Sequence, residues 1–394
     1  MRQSVFILLI LFVGELLGQN LPVGKRSVSF VDGSRANRNV STELYYPGAT
    51  AGTNAPLASG TEKYPVVVFG HGFAMTPAAY QWMADSLVKH GFIVALPSTE
   101  TGLAPSHEQF GRDLAFLAQR ITSLNDSAGS FLFNRVMNKS AIGGHSMGGG
   151  CSLLAMTYNT QVQAVFNFAA AETNPSAKAA ASTIQKPALL FSGSQDCIVP
   201  PAEQQTMYGN IPYTCKTFVN ITGGLHCHFG NNDGTCVFGQ ITSGCNSSSI
   251  TTNIVFSKTI SLLRPFLQHY LKGNCVAAGE FESTLSSLTG ATTLRTCSSD
   301  PQGCVVTSVP ATNTNATLST YPNPSSIQTG MLCKLAQGTF KKITLFDLGG
   351  RRLQSQVVSN LTQVRLRAPV PGHYLVCAET TVGIFYQRIV FHKE

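Results

Sequence analysis

The sequence lacks cysteine in its first 150 residues, although the chain contains eleven cysteines in all. Charged residues are also scarce, at 12% of the chain, and tryptophan occurs once, as Trp82. Beyond the N-terminal segment, no apolar run is long enough to cross a bilayer. This composition indicates a globular protein and excludes a highly charged disordered chain or a protein with several membrane spans.

Positive charge is not spread evenly along the chain. The formal net charge is +8, but residues 318–394 hold nine of the 27 Lys and Arg and only three of the 19 Asp and Glu. The rest of the chain holds 18 bases and 16 acids, so it is close to neutral. A near-neutral main body does not favour nucleic acid as a partner.

The N-terminal segment MRQSVFILLILFVGELLGQNLP has the pattern of a secretory signal peptide. Arg2 gives a positive start, residues 5–13 form a short apolar core interrupted after its end by Glu15, and Gly18 lies near a suitable cleavage point. No cysteine lies there to carry a lipid anchor. We predict a signal peptide over residues 1–19 and therefore a secreted or cell-surface protein.

Cysteine is abundant after Cys151, and most cysteines lie between Cys197 and Cys304. Such density is typical of an exported protein in an oxidising compartment. An odd count leaves at least one cysteine without a disulfide partner. Cys151 follows a Gly-rich segment on a predicted helix, and we expect it to be a buried free thiol.

Buried strands alternate with amphipathic helices over most of the chain. The predicted strands are YPVVVFG, FIVALP, AVFNFAA, PALLFSG and KTFVNITGG, and the longest helical segments are TPAAYQWMADSLVKHG, HEQFGRDLAFLAQRI and IVFSKTISLLRPFLQHYLKG. This alternation predicts an α/β fold in which a mostly parallel sheet is covered by helices on both faces.

The sequence changes character after Cys297. Ser, Thr, Pro and Asn dominate residues 300–317, as in a linker. Residues 318–394 alternate apolar and polar positions around Gly turns, which predicts a small antiparallel β domain. The predicted main domain therefore covers residues 20–299.

The motif G-x-S-x-G at Gly144–Gly148, within SAIGGHSMGGGCSLLAM, carries the strongest chemical signal. Its glycines allow a strand and a helix to approach while Ser146 occupies a strained turn, the position of a nucleophile. A Gly-rich connection that happens to contain a serine is the alternative. The strand before the motif and the helix after it favour Ser146 as a catalytic nucleophile.

Where a nucleophilic serine lies on such a turn between a strand and a helix, the acid comes next along the chain and the histidine follows it. Asp196 follows the strand PALLFSG and is the predicted acid, and His226 follows two glycines and is the predicted general base. Alternatively, Asp196 only forms a turn. Asp233 is a weaker acid candidate because it follows both histidines, and His228 is expected to make hydrogen bonds within its loop.

Zinc is an alternative for Cys197, His226, Cys227 and His228, because these residue types bind it. Their spacing matches no usual zinc finger, and an exported chain oxidises its thiols. We therefore predict neither a metal nor another cofactor. Instead, the cysteines between Cys197 and Cys245 should include disulfides that hold the acid and histidine loops.

An acyl-transfer site also needs two backbone N–H groups that stabilise an oxyanion. Met147, directly after the serine, should supply one. Phe73, in the loop after VVVFGHG, should supply the other. For the loop that contains Phe73, the alternative is an ordinary turn at the end of a strand.

Residues Gly70-His71-Gly72-Phe73, the GHSMGG stretch, Asp196 and His226 resemble the α/β-hydrolases of the cutinase and bacterial polyester hydrolase group, which includes PET hydrolases. The resemblance extends from about Ser27 to Cys297. It implies an α/β-hydrolase fold and metal-free ester hydrolysis through an acyl-enzyme.

The same resemblance implies roles for further residues. Phe73 and Met147 would line the acyl cleft, Ile198 would contact substrate, and Cys275 would form a disulfide with Cys297. The polyester hydrolases carry a substrate-stacking tryptophan downstream of the nucleophile.

In this chain the corresponding segment reads FNFAAAETNPSA. Ala171 or Glu172 therefore occupies that substrate-binding position, and aromatic polyester is a weaker expectation than ester hydrolysis.

The C-terminal region resembles the sorting domain of type IX secretion, on the segments TYPNPSS, LFDLGGRRL, GHYLV and RIVFHKE. The resemblance implies the type IX secretion machinery as a partner and export across an outer membrane. An accessory β module that binds substrate is the alternative.

The leading prediction is a secreted, monomeric hydrolase of carboxylic esters, acting on polyesters such as cutin-like or PET-like material. A general esterase or lipase for small soluble esters is the alternative within enzymes. A dienelactone-type hydrolase is disfavoured because its nucleophile would be cysteine. A non-catalytic surface-binding protein is also disfavoured, because no triad residue is missing.

Overall fold

The computed structural model describes residues 20–245, 247–297, 304, 318–347, 352–381 and 384–393. The predicted signal peptide, residues 1–19, lies outside the described residues. So does the predicted linker, residues 300–317, apart from Cys304.

A single large sheet organises the described residues before 298. Its ten strands are β1 (Val23–Asp32), β2 (Arg38–Pro47), β3 (Gly52–Thr53), β4 (Tyr64–Gly70), β5 (Ile93–Pro97), β6 (Val136–His145), β7 (Ala164–Phe168), β8 (Ala188–Gly193), β9 (Cys215–Ile221) and β10 (Ala291–Cys297). Their order is β10-β9-β8-β7-β6-β4-β5-β2-β1-β3. The six strands from β9 to β5 run parallel, while β10 joins one side and β2 the other in antiparallel orientation.

Helices cover both faces of this sheet. The described part of the chain contains eight: α1 (Gln81–Lys89), α2 (His107–Ser123), α3 (Met147–Tyr158), α4 (Ala177–Ala181), α5 (Pro201–Asn210), α6 (Gly234–Thr242), α7 (Thr252–Lys272) and α8 (Cys275–Ser286). Within the described ranges, no helix has the length and apolar character needed to cross a bilayer.

Strand β4 shows why the sheet is buried on both sides. All its residues are buried; Val66 and Val68 pack into a core that includes α2 and α3, while Val67 and Phe69 pack into a second core that includes α1 and α7. Successive strand residues point to opposite faces, so a continuous apolar run fits a sheet between two helical layers. The predicted α/β architecture is confirmed.

The described residues after 317 form two smaller sheets that are mostly antiparallel. Their strands are β11 (Leu318–Tyr321), β12 (Ser325–Ser326), β13 (Met331–Leu335), β14 (Phe340–Asp347), β15 (Arg352–Leu361), β16 (Gln363–Leu366), β17 (Gly372–Thr380) and β18 (Ile384–His392). They share a separate apolar core that includes Met331, Leu345 and Ile389. The predicted antiparallel β region is confirmed.

The disulfide implied between Cys275 and Cys297 is wrong. Cys297 ends β10 directly opposite Cys215, the first residue of β9, and these two form a disulfide with their Cα atoms 3.9 Å apart. Cys275 instead begins α8 and pairs with Cys304. The antiparallel register of β10, which the sequence does not reveal, decides the pairing.

Cys151 lies on α3 and is fully buried without a disulfide, as predicted. Burial raises the pKa of its thiol far above the usual range. This cysteine behaves as a small core residue rather than a reactive thiol.

Candidate active site

Ser146 occupies a sharp turn between β6 and α3, with φ 54° and ψ −120°. A positive φ is unfavourable for a residue with a side chain, so the surrounding structure must hold it. The Gly148 N–H donates to the carbonyl oxygen of His71 at 3.1 Å. A Cβ atom on Gly144 would collide with the backbone of Gly148, and one on Gly148 would collide with the backbone of Gly70. Glycine therefore permits the close approach that keeps Ser146 in its strained turn.

Asp196 and His226 form a buried pair. The His226 Nδ1 atom lies 2.7 Å from Asp196 Oδ2. The other carboxylate oxygen accepts the N–H groups of Ile198 at 3.0 Å and Val199 at 2.8 Å. A carboxylate held in this way accepts the Nδ1 proton, which leaves Nε2 of the neutral ring able to take a proton.

The structure brings Ser146 into the same region as this pair. The ring of His145, the residue before it, lies 4.6 Å from the ring of His226. Among the described residues, Ser146 Oγ and His226 do not share a hydrogen bond.

Two backbone N–H groups are unbonded among the described residues: that of Met147, directly after Ser146, and that of Phe73, in the loop whose His71 carbonyl oxygen accepts from Gly148. The neighbouring N–H groups are used: Gly148 donates to His71, and Gly72 donates to Tyr80 Oη at 2.9 Å. These two unbonded donors are the ones expected from the sequence for an oxyanion. The Met147 side chain is buried, whereas that of Phe73 is 48% exposed.

The expected substrate contacts lie in space near either the nucleophile turn or the acid. The Ala171 N–H donates to the Ser146 carbonyl oxygen at 2.8 Å, and Ala171 is partly buried. Glu172 is exposed, and its Oε2 accepts the N–H of Lys178 at 3.2 Å. Ile198 is partly exposed next to the acid. No aromatic residue stands at either candidate position for the missing tryptophan.

Trp82 does not replace that tryptophan. Its ring stacks on Phe256 with centroids 3.9 Å apart, and its Nε1–H donates to the carbonyl oxygen of Phe229 at 3.2 Å. Phe229 belongs to the same short helical turn as His226, His226–Gly230. Trp82 therefore supports the histidine loop from the core.

The alternative residues have other partners. His228 Nδ1 accepts the N–H of Leu225 at 3.3 Å, the loop hydrogen bond expected of it, and burial lowers the pKa of its ring. Asp233 caps α6 by accepting the N–H groups of Thr235 and Cys236. Asp196, not Asp233, is the carboxylate that contacts His226.

Two disulfides hold the loops of this pair. Cys197, directly after Asp196, is bonded to Cys245, and Cys227, directly after His226, is bonded to Cys236. The predicted disulfides in this region are confirmed. Their sulfur atoms are consumed by these bonds and cannot act as thiolate ligands of a metal.

Sequence reasoning misses two buried neighbours of the site, Tyr80 and His145. Tyr80 Oη lies 2.8 Å from His145 Nδ1, and neither side chain has solvent exposure. His145 is the first of the two variable residues of G-x-S-x-G, and Tyr80 lies far earlier in the chain. The position of His145 beside the serine is the only sequence signal for it.

Comparison with known proteins shows the family to which the chain is similar. A model of the PET hydrolase-like family matches residues 21–243, more than half of the chain, and these include Ser146, Asp196 and His226.

Among curated relatives, Cutinase est1 of Thermobifida alba is 25% identical over 166 residues, which cover 41% of this chain and 53% of that protein. Cutinase cut1 of Thermobifida fusca is 24% identical over 165 residues, which cover 41% and 50% respectively. The chain thus spans about half the length of the curated relatives it matches.

Proposed function

We propose that this chain, which belongs to the PET hydrolase-like family, is a serine hydrolase that cleaves carboxylic esters through an acyl-enzyme. The observation that carries the proposal is the Asp196–His226 hydrogen bond of 2.7 Å beside the strained turn of Ser146. The mostly parallel sheet with helices on both faces is the α/β-hydrolase fold, in which this arrangement serves acyl transfer.

The proposed reaction begins when Ser146 Oγ attacks the ester carbonyl carbon while His226 Nε2 takes the hydroxyl proton. Asp196 accepts the Nδ1–H and stabilises the imidazolium. The N–H groups of Phe73 and Met147 donate to the oxyanion. The C–O bond then breaks, and His226 returns its proton to the leaving alcohol. Water, deprotonated by His226, attacks the acyl-enzyme, and the bond between the acyl carbon and Ser146 Oγ breaks. His226 returns the proton to Ser146 Oγ, and the carboxylic acid is released.

Polyester is the substrate class that we propose for this site. The side chain of Phe73, whose N–H is a proposed oxyanion donor, is 48% exposed, and Phe238 and Ile241 on α6 are 69% and 71% exposed. Helix α6 is joined to the histidine turn by the Cys227–Cys236 disulfide, and residues 234–256 contain no charge. Exposed apolar side chains near a catalytic site favour an uncharged, poorly soluble ester. The cutinase names of the relatives agree with such a substrate.

A general esterase for small soluble esters is the second candidate. It is favoured by the absence of an aromatic side chain at Ala171 and Glu172, which removes one stacking surface for a polymer ring.

The test compares turnover of p-nitrophenyl esters of increasing acyl length with product release from a polyester film. Ser146→Ala should remain folded and lose about a thousandfold or more of the soluble-ester turnover, because the nucleophile is removed. Equal turnover by a well-folded Ser146→Ala protein would contradict the proposal, because the activity would then not depend on Ser146. Absence of turnover in the wild type as well would leave a non-catalytic binding protein. Activity on soluble esters without release from film would select the second candidate.

We propose that residues 1–19 are a signal peptide that directs export, and that the type IX secretion machinery sorts the protein through residues 318–394. We also propose that the catalytic domain is monomeric. The separate apolar core and the positive charge of the C-terminal sheets support this division. A chain that ends at residue 317 keeps Cys304 and its disulfide to Cys275. It should retain soluble-ester turnover yet fail to be exported by a host that has this machinery. Loss of turnover in a stable truncated protein would instead make the C-terminal region part of the enzyme.

A further inference from the structure

A chain of buried hydrogen bonds connects separate parts of the proposed active site. Tyr80 Oη accepts the Gly72 N–H at 2.9 Å and lies 2.8 Å from His145 Nδ1. His145 Nε2 lies 3.2 Å from the carbonyl oxygen of His226. Gly72 directly precedes Phe73, a proposed oxyanion donor, and we call this segment the oxyanion loop. The contacts therefore join the oxyanion loop to the backbone of the proposed base, His226.

The chemistry of the four groups gives these bonds one direction. The His226 carbonyl oxygen can only accept, so His145 Nε2 carries the proton. The Nδ1 atom of a neutral His145 then accepts from the Tyr80 hydroxyl. Tyr80 Oη in turn accepts from the Gly72 N–H and also contacts the sulfur of Met75 at 3.2 Å. Each of these hydrogen bonds therefore has one donor and one acceptor when the His145 imidazole is neutral.

Neutrality of His145 also suits the proposed reaction. Burial, with a smaller contribution from His226, lowers the pKa of His145 well below its usual value. The groups facing it are the Tyr80 hydroxyl, the His226 ring and the uncharged ring of Phe229. A neutral ring at this distance does not oppose the imidazolium that His226 must become.

We infer that Tyr80 and His145 are positioning residues that keep the backbone of His226 in register with the oxyanion loop, an inference that rests on the proposed function. Neither side chain is exposed, so neither can contact substrate. Their contribution is to the arrangement of the base and the oxyanion donors in the reacting complex. Loss of register should therefore lower kcat more than it changes KM.

The first experiment removes one hydroxyl and keeps its ring. Tyr80→Phe should lower kcat on a soluble ester roughly tenfold and leave KM within about twofold, because a small misplacement of reacting groups is costly. Tyr46→Phe is the matched control. Tyr46 lies on β2 and is also fully buried, and its hydroxyl donates to the carbonyl oxygen of Ala55 at 2.7 Å. Its kcat should stay within about twofold of the wild type.

The second experiment tests rescue at His145. The side-chain amide of His145→Gln keeps an N–H donor for the His226 carbonyl oxygen, whereas His145→Leu removes it. We expect kcat to fall in the order wild type, Gln, Leu, while both variants keep wild-type KM. The proton resonance of the His226 Nδ1–H, which is hydrogen bonded to Asp196, should be retained in the Gln variant and broadened or shifted in the Leu variant.

The inference is overturned if Tyr80→Phe loses less than about threefold in kcat, or if Tyr46→Phe loses as much. It is equally overturned if the Gln and Leu variants have equal kcat and an unchanged Nδ1 proton signal. Should Tyr80→Phe fail to fold, the pair of His145 variants decides by the same criterion. Ser146→Ala separates this outcome from failure of the proposed function, because that variant tests acyl transfer and not the register of the loops.

Discussion

The two sides of the proposed site are held by different means. The side that carries Ser146 and the oxyanion donors is fixed by backbone contact, with Gly144 and Gly148 packed against neighbouring main chain. The side that carries Asp196 and His226 is crossed by two disulfides instead, each beginning at the residue after a proposed triad member.

The difference lies in the helices that follow the two turns. The turns after β4 and β6 leave the centre of the sheet and meet helix α3, whose residues from Met147 to Met156 are all buried. Helix α6, which follows the histidine turn, contains no buried residue. A segment that buries so little apolar surface gains little from packing, and covalent links restrict it. Close packing and cross-linking thus serve the same geometric purpose.

The largest expected effect separates the two histidines of the cross-linked side. His226→Ala should lose about a thousandfold or more of the turnover on a soluble ester, because the proposed base is removed. His228→Ala should lose little, because its observed contact is the loop hydrogen bond from the Leu225 N–H. Steady-state kinetics on both folded variants measures the difference. Loss of activity in His228→Ala with retention in His226→Ala would reverse the assignment.

The next effect tests the disulfides themselves. Replacing Cys197 and Cys245 by alanine opens a link across 48 residues, for which chain entropy gives a loss of about 4 kcal/mol in the free energy of unfolding. Replacing Cys227 and Cys236 opens a link across only 9 residues and should cost about 2.5 kcal/mol. Denaturant unfolding of both double variants provides the comparison. Stabilities equal to wild type would show that packing alone holds this side.

A smaller effect tests the packed side. Gly148→Ala places a Cβ against the backbone of Gly70 and should lower the free energy of unfolding by about 1–3 kcal/mol, and turnover with it. Gly234→Ala, at the start of α6, meets no atom within 4 Å and should be neutral or slightly stabilising. Urea unfolding of the two variants measures the contrast. Equal effects would mean that close backbone approach is not what fixes the nucleophile side.

The sequence predicts the packed side better than the cross-linked side, for a physical reason. G-x-S-x-G is local, so the turn at Ser146 and the contact of Gly144 with Gly148 can be inferred from a few adjacent residues, although the contact of Gly148 with Gly70 cannot. Disulfide pairing is not local: the partner of Cys297 depends on the register of β10 against β9, which places it opposite Cys215. The partnership of Tyr80 and His145 depends on tertiary packing in the same way. The antiparallel addition of β1 and β2 to the sheet is likewise absent from the sequence-based prediction.

The smallest expected effect concerns the missing aromatic surface beside Ser146. Ala171 is tied to the nucleophile turn by its N–H, so Ala171→Trp places a ring close to the proposed acyl site. Glu172 is exposed and bonded to the Lys178 N–H, so Glu172→Trp places the ring farther out and removes that bond. Aromatic pairing contributes about 0.5–1.5 kcal/mol beyond area burial, which corresponds to roughly two- to tenfold in rate.

We therefore expect one of these variants, Ala171→Trp first, to release product from aromatic polyester roughly two- to tenfold faster than wild type. Turnover of a short aliphatic ester should stay nearly constant, because such a substrate offers no ring to stack. Film hydrolysis and soluble-ester kinetics on the same preparations provide the measurement. If neither tryptophan changes film hydrolysis and the wild type already attacks film as fast as short esters, the ring does not need a second aromatic surface. Phe73 and its aliphatic neighbours would then be sufficient to hold the substrate against the packed side of the site.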